Sequence, residues 1–257
     1  FTITAVDTIT GSEANFSDLL DDETAEQISI TDQALTVTGE ISVANANLLN
    51  GTTSGTVTAT IDAGTRVDDL KTLNGSNAYT ITIDNADATG STATEFNTIN
   101  SATTVAIDAS AVTGLASDDI DDITTLLTAA ADDTKFEDGS FGNLATVVVA
   151  DTSLTATELT DAIDDANTVT GTTDTVFTIT AVDTITGSEA NFTALLADEE
   201  AGQISITDQN LTVTGTISVS NANDLNGTTS GTVTATIDAD TTVDVLKTLE
   251  GSNAYTI

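Results

Sequence analysis

The side chains best placed to do chemistry are carboxylates. Runs that alternate apolar and polar residues end repeatedly in Asp: TITAVD at Asp7, ISITD at Asp32, TATID at Asp62, TITID at Asp84, VAID at Asp108 and VVVAD at Asp151. Later stretches repeat the pattern at Asp183, Asp208 and Asp238. Strands stacked in register about 4.8 Å apart would line these carboxylates along one edge. Like charges so placed repel unless cations or protons neutralise them. Oxygen ligands with no nitrogen or sulfur competitor favour Ca²⁺. A second group, Asp118, Asp119, Asp121 and Asp122, offers the same ligands on a helix-like segment. Two readings of the strand-end series stand side by side: calcium ligands, or Asp residues that bond nearby backbone N–H groups in Asx-turns. Neither an EF-hand loop nor a GGxGxD nonapeptide occurs.

The composition removes most other chemistry. The 257 residues include no His, Cys, Met, Trp or Pro, which excludes Ser-His-Asp, Cys-His and thiolate or imidazole metal sites. Asp and Glu number 41 against 4 Lys and Arg, for a net charge of -37. Four basic groups cannot neutralise a phosphate backbone, so no nucleic-acid partner is expected, and anionic lipid surfaces repel the chain. The apolar run VVVA (Val147 to Ala150) falls far short of the ~20 residues of a membrane helix, so no membrane insertion is expected. Acid pairs such as Asp118/Asp119 with Asp121/Asp122, or Asp164/Asp165, invite comparison with glycosidase carboxylates. Such sites pair two acids at a controlled separation and usually add aromatic sugar platforms, and here aromatics are 4 % of the chain. A solvated helix face explains the pairs better, and no enzyme activity is expected.

Acidity of this degree does not mean disorder here, because hydrophobic residues make up 39 % of the chain. A fold carrying so much like charge is expected to depend on its ionic medium. Self-comparison gives the organisation. Residues 1–81 and 177–257 align without a gap at a period of 176 and differ at 13 positions. Ile3, Ile9, Phe16, Leu20, Ile28, Ile30, Val37, Val57, Ile61 and Leu70 all recur, whereas Leu48 becomes Asp224, marking an outside position. Residues 1–176 read as one long tandem repeat and 177–257 as the start of the next. Strand-like runs at both ends suggest a segment of a longer repetitive protein, whose secretion signal lies elsewhere.

The elements that must position the acids follow from finer periodicities. Apolar residues spaced by three precede Asn or Glu and then Gly or Ser: Val43/Ala46/Leu49, Val67/Leu70/Leu73, Ala93/Phe96/Ile99 and Val243/Leu246/Leu249. That spacing predicts short helices of about two turns with one buried stripe. Ser12, Ser42, Thr65, Ser91 and Ser117 stand ahead of such runs as candidate caps. A further strand is expected near Lys135–Asp138, inside the longest gap between Asp-ended runs. One strand region plus a short helix, mostly every 22–32 residues, predicts a β-rich solenoid: a parallel β-helix-like stack of coils with a continuous core.

Outward Thr is the second candidate surface. TxT pairs occur at Thr2/Thr4, Thr36/Thr38, Thr58/Thr60, Thr80/Thr82, Thr178/Thr180, Thr212/Thr214 and Thr234/Thr236. Their arrangement resembles the water-ordering arrays of ice-binding proteins, and strand propensity of Thr is the plainer explanation. Runs such as TGSEANFSDLL, TSGTVTATIDA and TGSTATEFNTIN resemble repeats of giant acidic Thr/Asp-rich cell-surface proteins of cyanobacteria and other bacteria, of the RTX-like or haemolysin type. The resemblance covers essentially the whole chain. It implies secretion, an extracellular or cell-surface location, and a structural or adhesive role as fibre, sheath, surface layer or adhesin stalk. Self-association or continuation along the stack is the expected partnership. Ice, divalent cations or glycans are the ligands of the alternative reading, a binding module.

Overall fold

The computed structural model describes residues 6–84 and 90–257; Thr2, Ile3 and Thr4, read above as strand and core, lie outside the described residues. The chain forms two compact units. One runs up to Gly114 and takes in Thr128–Asn143, and the other comprises Leu115–Leu127 and Leu144–Ile257. This division falls elsewhere than the 176-residue sequence period.

In the first unit the order is β1 (Thr8–Gly11), α1 (Glu13–Thr24), β2 (Ala34–Ile41), α2 (Val43–Thr52), β3 (Val57–Ile61), α3 (Val67–Leu70), β4 (Ala78–Thr80) and α4 (Ala93–Ala102). The four strands form one sheet in the order β1-β2-β3-β4, and every pair is parallel. Next along the chain come β5 (Gly114–Asp118) and α5 (Ile120–Ala130). The second unit continues with β6 (Thr146–Val149), β7 (Ser153–Thr155), α6 (Ala156–Thr170), β8 (Val176–Thr178), β9 (Thr184–Gly187) and α7 (Glu189–Glu200). It ends with β10 (Asn210–Ile217), α8 (Val219–Thr228), β11 (Val233–Ile237), α9 (Val243–Leu246) and β12 (Ala254–Thr256). Its larger sheet has the order β12-β11-β10-β9-β7, and β5-β6-β8 form a third, three-stranded sheet.

The solenoid expectation is therefore corrected. The protein is a compact α/β fold, with nine helices and three mostly parallel sheets among the described residues, and not a single β-helix-like stack. Two physical reasons account for it. The apolar spacing of three extends through helices of 10 to 15 residues, capped by side chains at Ser12, Ser42, Thr92, Thr155, Ser188 and Ser218. Helices of that length form a layer over a sheet rather than the corner of a coil. The strand ladder also breaks where the spacing is irregular: beyond β4, pairing survives only as isolated bridges, Asn77 with Thr103, Thr82 with Asp108 and Ile107 with Phe136. The last of these is all that forms of the strand expected near Lys135–Asp138.

In β3 and β11 the alternation holds. Val57, Ala59 and Ile61 are buried and Thr58 and Thr60 exposed; β11 repeats this pattern. The stripes Val43/Ala46/Leu49 and Ala93/Phe96/Ile99 are buried. Leu20 and Leu196, expected in the core, are half-buried because α1 turns only Phe16 fully inward and α7 only Phe192 and Leu195. Gly51, after the Asn that follows its stripe, is helical, whereas Gly75 adopts φ 82°. A Cβ on Gly75 would also collide with Asn50 Oδ1, so the turn there requires glycine.

Phe96 anchors the first unit, edge-on to Phe141 at 5.4 Å, with Phe136 at 5.2 Å from Phe141. Phe96→Ala leaves a cavity beneath these rings and is expected to destabilise the first unit by about 3–5 kcal/mol, measured by urea denaturation.

Candidate functional site

The strand-end acids do not make one column. The ladders actually begin after Asp7 and Asp32, at Thr8 and Ala34, so these two acids precede their strands. Asp183 and Asp208 precede β9 and β10 in the same way. Asp62 and Asp238 follow β3 and β11, at the opposite end of their parallel sheets. Asp108 pairs with Thr82 in an isolated bridge, Asp84 lies two residues after Thr82, and Asp151 follows β6. The acids ahead of strands serve local turns. Asp32 accepts hydrogen bonds from Gln33 Nε2 (2.7 Å) and Thr31 Oγ1, and Asp208 is held identically by Gln209 and Thr207. Asp108 accepts from the backbone and hydroxyl of Ser110.

What electrostatics does join is the group around the start of α5. Asp151 Oδ2 accepts the Ile120 N–H at 2.7 Å, and Asp118 Oδ1 accepts the Asp119 N–H. The charge of Asp151, then partial desolvation, then Asp118, Asp122 and Asp121 push the Asp119 carboxyl above its ordinary pKa. Among the described residues, no three His, Cys, Asp or Glu side chains are gathered as a metal ion requires. No helix of the described residues is long and apolar enough to cross a membrane.

Two open grooves are the places where a ligand would find shelter. In the first unit a groove of about 570 Å³ is lined by Ser42, Asn47, Asp62, Arg66 and Asp69. Desolvation, then Glu13 and Glu40, raises the pKa of Asp62. The sequence period offers an internal control: Gly64, Arg66 and Asp69 become Asp240, Thr242 and Val245 in the second copy. Asp62 recurs as Asp238, so only Arg66 and Asp69 of the charged set are particular to the first copy. In the second unit an apolar cleft of about 310 Å³ lies between α7 and α8, lined by Phe192, Leu196, Leu225 and Asp224, with Glu189 at one end. Its counterpart in the first unit is about 110 Å³, with the larger Leu48 standing where Asp224 does.

The side chains that recur with identical geometry are those that join one helix–strand layer to the next. Glu13 Oε1 accepts from Ser42 N, Ser42 Oγ and, at 2.7 Å, Asn45 Nδ2, so a carboxylate of α1 caps α2. Glu189 does the same for α8 through Ser218 and Asn221. The Asn45 and Ser42 bonds lower the Glu13 pKa; Glu189 is lowered by the Ser218 backbone bond and then by Asn221 and the Ser218 hydroxyl. Asn77 Nδ2 donates to Asn50 Oδ1 and its Oδ1 accepts the Val57 N–H, with Asn253, Asn226 and Val233 repeating both bonds. Buried Thr53, Thr103, Thr175 and Thr229 each donate a hydroxyl to a backbone carbonyl of an earlier layer, at 2.6–2.7 Å. Among the described residues no buried side-chain nitrogen or oxygen lacks a partner. Sequence reading treated Thr as an outward residue and missed these inward ones. Their only signal is that Thr53 and Thr229 share the motif TTSG.

Comparison with protein-family models, with curated protein sequences and with solved structures finds no match to this chain.

One carboxyl carries a measurable consequence. Burial, reinforced by Asp164 on α6, pushes Asp198 on α7 up to about 6. The folded form therefore holds this proton up to a pH near 6, whereas the unfolded chain releases it near 3.8. Stability contributed by the protonated group is complete below pH 3.8 and is lost as pH rises through 6. Asp198→Asn is expected to raise the melting midpoint at pH 7 and leave it unchanged at pH 3.5, a difference read by paired thermal melts.

Proposed function

We propose that this chain is a non-catalytic structural element of a repetitive extracellular or cell-surface protein, a part of a fibre, sheath, surface layer or adhesin stalk. The observation that carries this reading is the contrast between the two copies. Glu13, Asn50, Thr53 and Asn77 keep their layer-joining bonds in Glu189, Asn226, Thr229 and Asn253, while two of the three charged residues of the open groove, Arg66 and Asp69, become Thr242 and Val245 and Asp62 recurs as Asp238. A site evolved to turn over a substrate would hold its charged groups fixed; a spacer needs only its joints. The acid-rich surface of net charge -37 keeps such a module soluble and self-repelling at its flanks. The absence of His and Cys supports a role without general-base or thiol chemistry.

A second reading has a specific observation in its favour. The register Thr10–Thr36–Thr58, with Thr60 beside Thr80, places hydroxyls in ranks on one face of the first sheet. That is the geometry an ice-binding surface would use. Each rank is only two or three residues wide, and Glu40 stands next to Thr60 across the ladder, so the structural role is preferred.

Antibodies raised against the chain are expected to label intact, unpermeabilised source cells, and purified protein is expected to show no thermal hysteresis. Labelling that requires permeabilisation overturns the surface role, and a freezing-point gap replaces it with the ice-binding reading.

A further inference from the structure

Three Asn-Gly pairs occur in the chain: Asn50-Gly51, Asn74-Gly75 and Asn226-Gly227. Such a pair is chemically labile, because glycine has no side chain to shield its own backbone nitrogen from the carboxamide that precedes it. The fold treats the three pairs differently. Asn50-Gly51 lies inside α2 and Asn226-Gly227 inside α8, where the helix fixes the backbone. Their carboxamides are engaged as well: Asn50 Oδ1 accepts from Asn77 Nδ2 at 2.8 Å, and Asn226 Oδ1 from Asn253 Nδ2 at 2.7 Å. Both asparagines are half-buried.

Asn74-Gly75 lies in the turn between α3 and β4, outside any helix, and both residues are exposed. The Asn74 N–H donates to Asn47 Oδ1 at 2.8 Å, which holds the turn. Among the described residues neither the Asn74 carboxamide nor the Gly75 N–H makes a hydrogen bond. Nucleophile and electrophile are thus adjacent, uncommitted and open to water. In the second copy the position is Glu250, with the same turn: Gly251 has φ 77° against 82° at Gly75, and the Glu250 N–H donates to Asn223 Oδ1 at 2.9 Å. The turn therefore accepts a carboxylate here without losing its bonds.

We propose that Asn74 is a site of spontaneous deamidation, and that the folded chain confines the reaction to this one Asn-Gly pair. The Gly75 nitrogen gives up its proton and attacks Asn74 Cγ. The bond from Cγ to the amide nitrogen breaks, that nitrogen takes a proton and leaves as ammonia, and a succinimide ring closes. Water then opens the ring at one of its two carbonyls. Opening at the side-chain carbonyl gives aspartate; opening at the main-chain carbonyl gives isoaspartate, whose backbone runs through the former side chain. Water is the only co-reactant, and the reaction does not depend on the structural role proposed above. The two products differ in consequence. Aspartate adds one charge, as Glu250 does. Isoaspartate adds a methylene to the backbone ahead of Gly75, which packs so closely on Asn50 Oδ1 and Asn77 Nδ2 that even a Cβ would collide with them. The longer backbone displaces these side chains and opens the Asn77–Asn50 joint, whereas the matching joint beside Glu250 is immune.

The test ages the whole protein at mildly alkaline pH, folded and in urea, and follows each Asn-Gly pair by peptide mass mapping with isoaspartate detection. The expected result is deamidation of Asn74 in the folded protein within about threefold of its rate in urea. Asn50 and Asn226 should react at least about tenfold more slowly folded than unfolded, since they must wait for local opening. Protection of Asn74 by about tenfold or more, or reaction of folded Asn50 or Asn226 as fast as Asn74, would overturn the proposal. The isoaspartate-bearing fraction should melt below the fresh protein, and Asn74→Glu should melt with the fresh protein and keep its midpoint on ageing. Equal melting of the isoaspartate fraction and the fresh protein would overturn the weakening of the joint.

Discussion

The structure depends on one constraint: a helix–strand layer of this chain cannot bury its own apolar face. The apolar stripes of its helices become core where a neighbouring element lies over them, as α4 does over α3. Val67 on α3 is 2 % exposed, with Phe96 and Ile99 of α4 fully buried beside it. Burying such a side chain is worth roughly 1.5–3 kcal/mol, so the layers stabilise one another far more than any layer stabilises itself. Polar groups at the joints would cost as much as the apolar contact yields if they were left unpaired. The Thr hydroxyls, the Asn–Asn pairs and the Glu caps meet that requirement, and each reaches into the neighbouring layer rather than its own.

The charge follows from the same arrangement. With 41 acids and 4 bases the chain cannot pair its carboxylates with cations. It spends several on backbone N–H groups at helix starts, where the helix dipole favours negative charge: Glu13 on α2, Asp151 on α5 and Glu189 on α8. Others accept local backbone bonds, Glu23 from the Ile30 N–H and Glu199 from the Ile206 N–H. Asp198, partly buried beside Asp164 of α6, holds its proton to higher pH.

Much of the local structure was legible in the sequence. Val43/Ala46/Leu49 and Ala93/Phe96/Ile99 announce helices because spacing by three leaves one face apolar, and VTATI announces β3 and β11 because alternation has a period of two. The architecture was not legible. Periodicity fixes which face is buried but not what covers it, so helices of ten or more residues were read as corners of coils. The Asp series misled for a related reason. TITAVD and ISITD alternate as well as TATID does, yet hydrogen bonding starts after Asp7 and Asp32, where Thr8 and Ala34 find partners. Thr53 and Asn77 were hidden because polar residues beside Gly and Ser have the composition of a loop, and only the fold shows them buried.

Native-state hydrogen exchange at Tyr79 and Tyr255 tests the dependence of each layer on its cover most directly. The two residues share a sequence, a strand partner and a phenolic bond to a helix carbonyl, of Ala46 and Ala222 respectively. They differ in that Thr103 closes over Tyr79 alone. The Tyr79 amide should exchange only through opening of the first unit, and the Tyr255 amide orders of magnitude faster through local fraying. Equal protection at the two sites would contradict the account, because it would mean that a layer is stable without the one that covers it.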